Sequence, residues 1–443
     1  MRKRLNNLQL KKDLGLLDAT FYGIGIIIGA GIFVLLGKGA GLAGNSVWLS
    51  FVIAALIAAF TGLSYCELSS RFPKESAEYI YTKKAFGWKS FSFIIGWVLV
   101  FAAAFSASTV AIGFACYFSE MFGTSMTATA VVLLLFLSLI NFYGIRESSK
   151  LNIVFALMEV LALVIVIAIS LPYLGSVNYF ETPQGLLPLG LGGVAAAASL
   201  IFFAYIGFDT IPKISEETKN AKKTIPKALV YSLSVSTVFY IIVAISAVSV
   251  LPWEQLAVSS APLADVVLMG GGPAIGYVIS IIALFATFST VLVILIAGSR
   301  MIYGMAKEGA FPEIFSYLHP KRRTPFIAVF IIMVLSMLFV YTGNIEFLAS
   351  MTNLGIFIAF LFVNLSLIVV RMKTRNEPPF RAPLNIGRFP LLALFGAIAS
   401  VFLILQFETV VYLYEVAVIV VGVVVYKFFG FEKKKKSFGG LFN

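Results

Sequence analysis

The chain has 443 residues, of which 60% are hydrophobic and only 12% charged, and its formal net charge is +12. A soluble domain is about 45–50% apolar and about 25% charged, so this apolar excess excludes a single soluble core and calls for a surface that faces lipid. Two cysteines, no CxxC and a single histidine, His319, exclude a disulfide framework and argue against a zinc or di-iron centre; no cofactor is expected.

Crossing the hydrocarbon core takes about 20 mainly apolar residues. Twelve such runs are found, at 15–40, 46–70, 90–118, 126–143, 150–172, 190–212, 227–250, 273–303, 325–342, 347–370, 389–406 and 409–429. The basic N-terminus leads into a full-length run with no cleavage site, so no signal peptide is read there. The first run contains "GIIIGAGIF", residues 25–33, in which Gly25, Gly29 and Gly31 follow Gly23. Each interior glycine costs a helix about 0.5–1 kcal/mol relative to alanine, although Gly25 and Gly29 also form a GxxxG of the kind that packs helices closely. The fifth run carries Glu159 inside "VFALMEVLALVIV". A carboxylate within a span costs at least about 2.5–3.5 kcal/mol on insertion scales. The sixth reads "FFAYIGFDTIP", with Gly207, Asp209 and Pro212. The eighth contains Ser289 and Thr290, with Thr287 one turn away, and the twelfth contains Glu415, read as structural.

The loops set the orientation. With the N-terminus in the cytoplasm, 32 of the 33 Lys and Arg residues fall on that side and Lys38 alone falls outside. The positive charge is therefore a topology signal facing anionic lipid, and nucleic acid is excluded as a partner. Both termini are expected in the cytoplasm of a multi-pass cell-membrane protein.

Spans 1 and 6 are both interrupted, at corresponding places in two five-span blocks. Paired interruptions in inverted repeats point to a transporter site at the midplane. Backbone that leaves the helix exposes N–H and C=O groups that lipid cannot satisfy, so such breaks persist only where they are buried or line a cavity. N–H groups at the start of a half-helix attract a carboxylate, and carbonyls at the end of the other half attract an ammonium. A zwitterion suits the pair.

At these residues the chain resembles the amino acid–polyamine–organocation transporter superfamily, with its leucine-transporter-like inverted-repeat fold. Four motifs carry the resemblance: "GIIIGAGIFVLLG" in span 1, "YCELSSRFPKESAEYIYTKKAFG" at 65–87, "FFAYIGFDTIPKISEETKNAKKTIPKAL" at 202–229 and "GSRMIYGMAKEGAFPEIFSYLHPKRRTPFIA" at 298–328. The resemblance implies that the substrate carboxylate meets the N–H groups of Ala30 and Gly31 and that the amino group meets the carbonyls of Ile27, Phe203 and Ile206. Gly29 and Ala204 fall in the same site, and Phe203 covers the substrate. Two departures stand out. Ala30 replaces the serine or threonine common in relatives, and Ser76-Ala77 replaces a common Gly-Gly.

Coupling has three candidates. Glu159 matches, within one residue, a span 5 lysine of proton-coupled relatives, with the sign of charge reversed. An acid matching Asp209 is known from exchangers of the superfamily. Sodium-coupled members bind the ion between span 1 carbonyls and span 8 hydroxyls, here Ser289 and Thr290. Span 3 carries no charge between Val100 and Phe118, which favours a neutral, small or medium apolar amino acid.

The expectation is an all-α membrane protein of twelve transmembrane helices with a 5+5 inverted repeat. Its parts are an N-terminal tail (1–14), a transport core (15–371, with repeats 15–172 and 190–371), peripheral helices 11 and 12 (372–429), available to a homodimer, and a C-terminal tail (430–443). The expected function is secondary active transport by alternating access. It is ion-coupled uptake of an amino acid, with proton ranked before sodium; exchange and cationic amino acid or polyamine transport are the alternatives. A transport-dead nutrient sensor lacks the signalling tail it would need, and a membrane-embedded enzyme lacks a catalytic constellation. A channel is disfavoured because no polar ring repeats along the spans.

Overall fold

A computed structural model describes residues 14–72, 77–143, 149–187, 189–320, 322–374 and 376–429. The expected tails, save Leu14, and Ser76 lie outside the described residues.

The first apolar run does not form one rod. Helix α1 (Leu16–Ile27) stops, Ile28 and Gly29 leave the helical path, and α2 (Ala30–Ala43) restarts. A single 3₁₀ turn leads into α3 (Val47–Arg71). Then come α4 (Ala77–Phe86), α5 (Lys89–Phe122), α6 (Met126–Tyr143) and α7 (Ser149–Ser170). A two-residue hairpin, β1 (Glu181–Thr182) against β2 (Gly185–Leu186), precedes α8 (Leu191–Ile201). After the second interruption follow α9 (Ala221–Val250), α10 (Trp253–Val258), α11 (Pro262–Gly271) and α12 (Pro273–Lys307). The chain closes with α13 (Phe326–Val340), α14 (Ile345–Lys373), the hairpin β3 (Asn385–Ile386) and β4 (Phe389–Pro390), α15 (Leu391–Ile404) and α16 (Thr409–Phe429).

Among the described residues, nine helical stretches are long and apolar enough to cross a membrane. α13 and α15, at 15 and 14 residues, are shorter than the runs at 325–342 and 389–406 suggested. At about 1.5 Å per residue neither alone reaches the roughly 30 Å of a hydrocarbon core. Pro325 and Pro390 occupy their N-caps, and a proline there ends upstream helical bonding because it lacks an N–H. Apolar periodicity also missed three short helices, α4, α10 and α11, which lie in segments read as loops.

α5 is the central post and packs against α12, α13, α14, α6 and α16. α9 lies against α1 and α3, and α2 against α8. The buried side is aromatic, with Phe33, Tyr65, Tyr205 and Tyr240 fully enclosed, whereas α16 leaves Leu413, Val416 and Val420 exposed. An apolar exterior around an aromatic interior suits lipid as solvent.

At the end of the bundle that carries the Lys- and Arg-rich loops, one anion ties distant segments together. Glu67 on α3 is fully buried. Its carboxylate accepts Arg371 Nε at 2.8 Å, Arg371 Nη2, Arg71 Nη2 at 3.2 Å and the Ala382 N–H at 2.8 Å. Removing one partner of a buried pair leaves an uncompensated charge and costs about 3–5 kcal/mol. Glu67→Ala should lower unfolding stability in detergent by about that amount, and adding Arg371→Met should recover part of it; equal stability of Glu67→Ala and the unaltered protein would contradict this role.

Candidate functional site

The site forms where two helices fail. Ile28 (φ −73°, ψ 7°) and Gly29 (φ −55°, ψ −150°) separate α1 from α2. In the other crossing, α8 gives way to a 3₁₀ turn at Phe202–Tyr205, an extended Ile206 (φ −58°, ψ 134°), and a second 3₁₀ stretch, Phe208–Glu217, that includes Pro212. Gly207 between them has φ +119°, a conformation that L side chains rarely adopt.

The two breaks touch. A Cβ added at Gly31 would lie 2.4 Å from Ala204 Cα, and one at Gly207 would lie 2.2 Å from Ile26 Cγ2. A Cβ at Gly29 would lie 2.5 Å from Thr290 Oγ1 of α12. The glycines of the first run therefore admit a neighbouring backbone and a neighbouring hydroxyl.

The carbonyls released by the breaks are claimed by other crossings. The Tyr240 hydroxyl on α9 lies 2.5 Å from the Ile27 carbonyl and 2.9 Å from the Ala204 carbonyl, so its one proton is shared between the two breaks. Asn353 on α14 donates its amide to the Ser199 and Leu200 carbonyls at 2.7 and 2.8 Å. At the start of α2, the Ala30 N–H donates to Thr290 Oγ1 at 3.1 Å. The next N–H groups of that turn, Gly31 and Ile32, have no intrahelical acceptor by the geometry of a helix start.

Most of the residues singled out by sequence thus meet in one place. Ile27, Gly29, Ala30, Gly31, Ala204, Ile206 and Thr290 surround the paired breaks. Phe203 is buried in an apolar cluster with Leu200, Phe105 and Leu292, and its carbonyl accepts the Ile206 N–H at 3.2 Å. The hydroxyls of Ser289 and Thr290 both donate to the Ala286 carbonyl of their own helix, at 3.0 and 2.7 Å. Glu159 is 1% exposed on α7, which packs against α1 and against α9, the helix of Tyr240. Asp209 is partly buried in the 3₁₀ stretch that follows the second break.

Tyr240 and Asn353 escaped the sequence reading. The available signal was polarity within apolar runs, "STVFYIIVAI" and "ASMTNLGIF", since polar side chains at membrane depth need partners. At the far end of α2, a cleft of about 220 Å³ is lined by Lys38, Gly41, Leu42, Ala257 and Glu346. Lys38 lies eight residues, about 12 Å along the helix, from Ala30.

The amino acid permease family model matches residues 14–429. The chain belongs to the amino acid permease family. It is 33% identical over 439 residues to the branched-chain amino acid permease BcaP of Bacillus subtilis, covering 94% of this chain and 92% of the relative. The methylthioribose transporter of the same organism is 29% identical over 437 residues, covering 94% and 93%. Mouse cationic amino acid transporter 4 is 29% identical over 390 residues, covering 83% of this chain and 61% of the relative. This is a family of membrane permeases, not of enzymes, and the three relatives carry names for three different kinds of ligand.

Tyr240→Phe leaves the Ile27 and Ala204 carbonyls without their donor, and an orphaned buried acceptor costs about 1–3 kcal/mol. The variant should unfold earlier in detergent and bind substrate more weakly, whereas unchanged values for both would remove Tyr240 from the site. Gly207→Ala should be more damaging than Tyr240→Phe in the same assays, because both the backbone angle and the space oppose a side chain.

Proposed function

We propose that this permease is a secondary transporter of a neutral amino acid with an apolar side chain, working by alternating access. The observation that carries the reading is the pair of helix breaks in contact, bridged by one phenol, with the N–H groups of Gly31 and Ile32 at a helix start beside them. Amino and carboxylate groups of one ligand would find opposite partial charges at the two breaks. In this reading the carboxylate meets the α2 start at Ala30 and Gly31, and the ammonium competes with Tyr240 for the Ile27 carbonyl and meets the Phe203 and Ile206 carbonyls.

The same reading takes the chain as twelve crossings in two inverted repeats, 15–172 and 190–371, with both termini on the cytoplasmic side of the cell membrane. The distribution of Lys and Arg over alternate loops supports it. The exposed apolar faces of α15 and α16 leave them to lipid or to a homodimer. The absence of charged residues from span 3 between Val100 and Phe118 and the branched-chain name of the 33% identical relative both support an apolar substrate.

Proton coupling through Glu159 is favoured over sodium. Glu159 is a buried carboxyl on α7, which packs against α1 and against α9, the helix whose Tyr240 hydroxyl holds both breaks, so a change of its charge would be felt by the helices on which the breaks depend. A sodium ion at Thr290 would sit beside the Ala30 N–H, whose positive end already points at that oxygen.

Reconstituted protein should take up leucine, isoleucine or valine, and an inward proton gradient should accelerate uptake more than a sodium gradient. Glu159→Gln should abolish the acceleration and Ser289→Ala should retain it. Sodium dependence without pH dependence would remove Glu159 from coupling, and preferential uptake of lysine or arginine would overturn the neutral substrate.

A further inference from the structure

Four segments converge at the basic end of the bundle: the last turns of α3 and α14, helix α4, and the chain between α14 and α15. Arg371 of α14 forms a two-pronged pair with Glu67 of α3. It also donates to the Ala382 carbonyl at 3.3 Å and to Asn385 Oδ1, while Asn385 Nδ2 donates to the same Ala382 carbonyl at 2.8 Å. Secondary ties surround this centre. Arg71 Nη1 donates to the Asn376 carbonyl at 3.2 Å, the Phe380 N–H to Ser70 Oγ at 3.4 Å, and Lys373 Nζ to the Ala85 carbonyl of α4 at 2.8 Å.

Glu67 and Arg371 are 0% and 4% exposed. A two-pronged guanidinium–carboxylate pair fixes orientation as well as distance, and separating it inside the protein would leave two naked charges. The contacts at the helix breaks are of another kind. They are neutral hydrogen bonds and van der Waals touches, which exchange partners at far smaller cost. A conformational cycle will rearrange the neutral contacts and spare the charged one.

We propose that Glu67 and Arg371 are positioning residues that make the basic ends of α3 and α14, together with the chain that follows α14, a single rigid body throughout transport, so that access to the breaks opens between this body and other helices and never within it. The inference rests on the alternating-access reading above and adds which helices travel together.

The test is a tether. In a Cys66→Ala/Cys116→Ala background, since both native cysteines are free and buried, Ser70→Cys and Phe380→Cys are introduced and joined by oxidation or by a short bis-methanethiosulfonate. Cross-link yield is read by gel shift with and without leucine, at two pH values and with and without sodium. The expected result is the same yield in every condition, with leucine uptake by the tethered carrier within twofold of the reduced one. In the same background, Arg371→Met should cut the uptake rate at least tenfold while KM stays within twofold, and closing the tether should restore the rate to within threefold. Arrest of the tethered carrier that reductant reverses, a yield that depends on condition, or failure of the tether to rescue Arg371→Met would each overturn the proposal. A carrier that moves no amino acid in either redox state would refute the proposed substrate class; the dependence of yield on condition would then support or overturn the rigid body without any transport measurement.

Discussion

The structure depends on one shared proton. Two chain segments leave helical geometry inside a low-dielectric bundle, and each releases carbonyls that lipid cannot satisfy. The Tyr240 hydroxyl answers one carbonyl from each segment, so a single side chain ties the two breaks together. Asn353 does the same for two further carbonyls of the second segment. These donors come from α9 and α14, so two other crossings satisfy carbonyls of the irregular backbone.

The site solves a second problem by borrowing. Residue 30 is alanine, where relatives of the superfamily often carry a hydroxyl. Here a hydroxyl reaches the Ala30 N–H from Thr290, across the interface with α12, and Gly29 has no side chain to block it. Thr290 therefore joins the first break to α12 by a hydrogen bond. Glu159 is buried on α7, which packs against α1 and against α9, the helix that carries Tyr240.

The apolar runs and the two interruptions are legible in the residues because lipid imposes length and composition directly, and because glycine and proline mark broken backbone wherever they fall. The family was legible partly for the same reason: two of its four motifs are the breaks. Helices α4, α10 and α11 were not, since short helices at the ends of a bundle need no apolar length. Tyr240, Asn353, Glu67 and Arg371 were not legible as partners either. Each is one polar residue in a long sequence, and its meaning comes from a carbonyl or an ion that lies between 36 and 304 residues away. The glycines were read as a weakened helix; their contacts with Ala204, Ile26 and Thr290 show what the weakness makes room for.

The contact between Gly31 and Ala204 has a further consequence. Two main chains meet there with almost nothing between them, so the gap contains no rotamers to adjust and no side-chain entropy to lose. It behaves as a gauge block, a spacing set by covalent geometry that substitution can only spoil. Kindred carriers with different cargoes would therefore keep this dimension and diversify in the walls beyond it, where side chains do the lining.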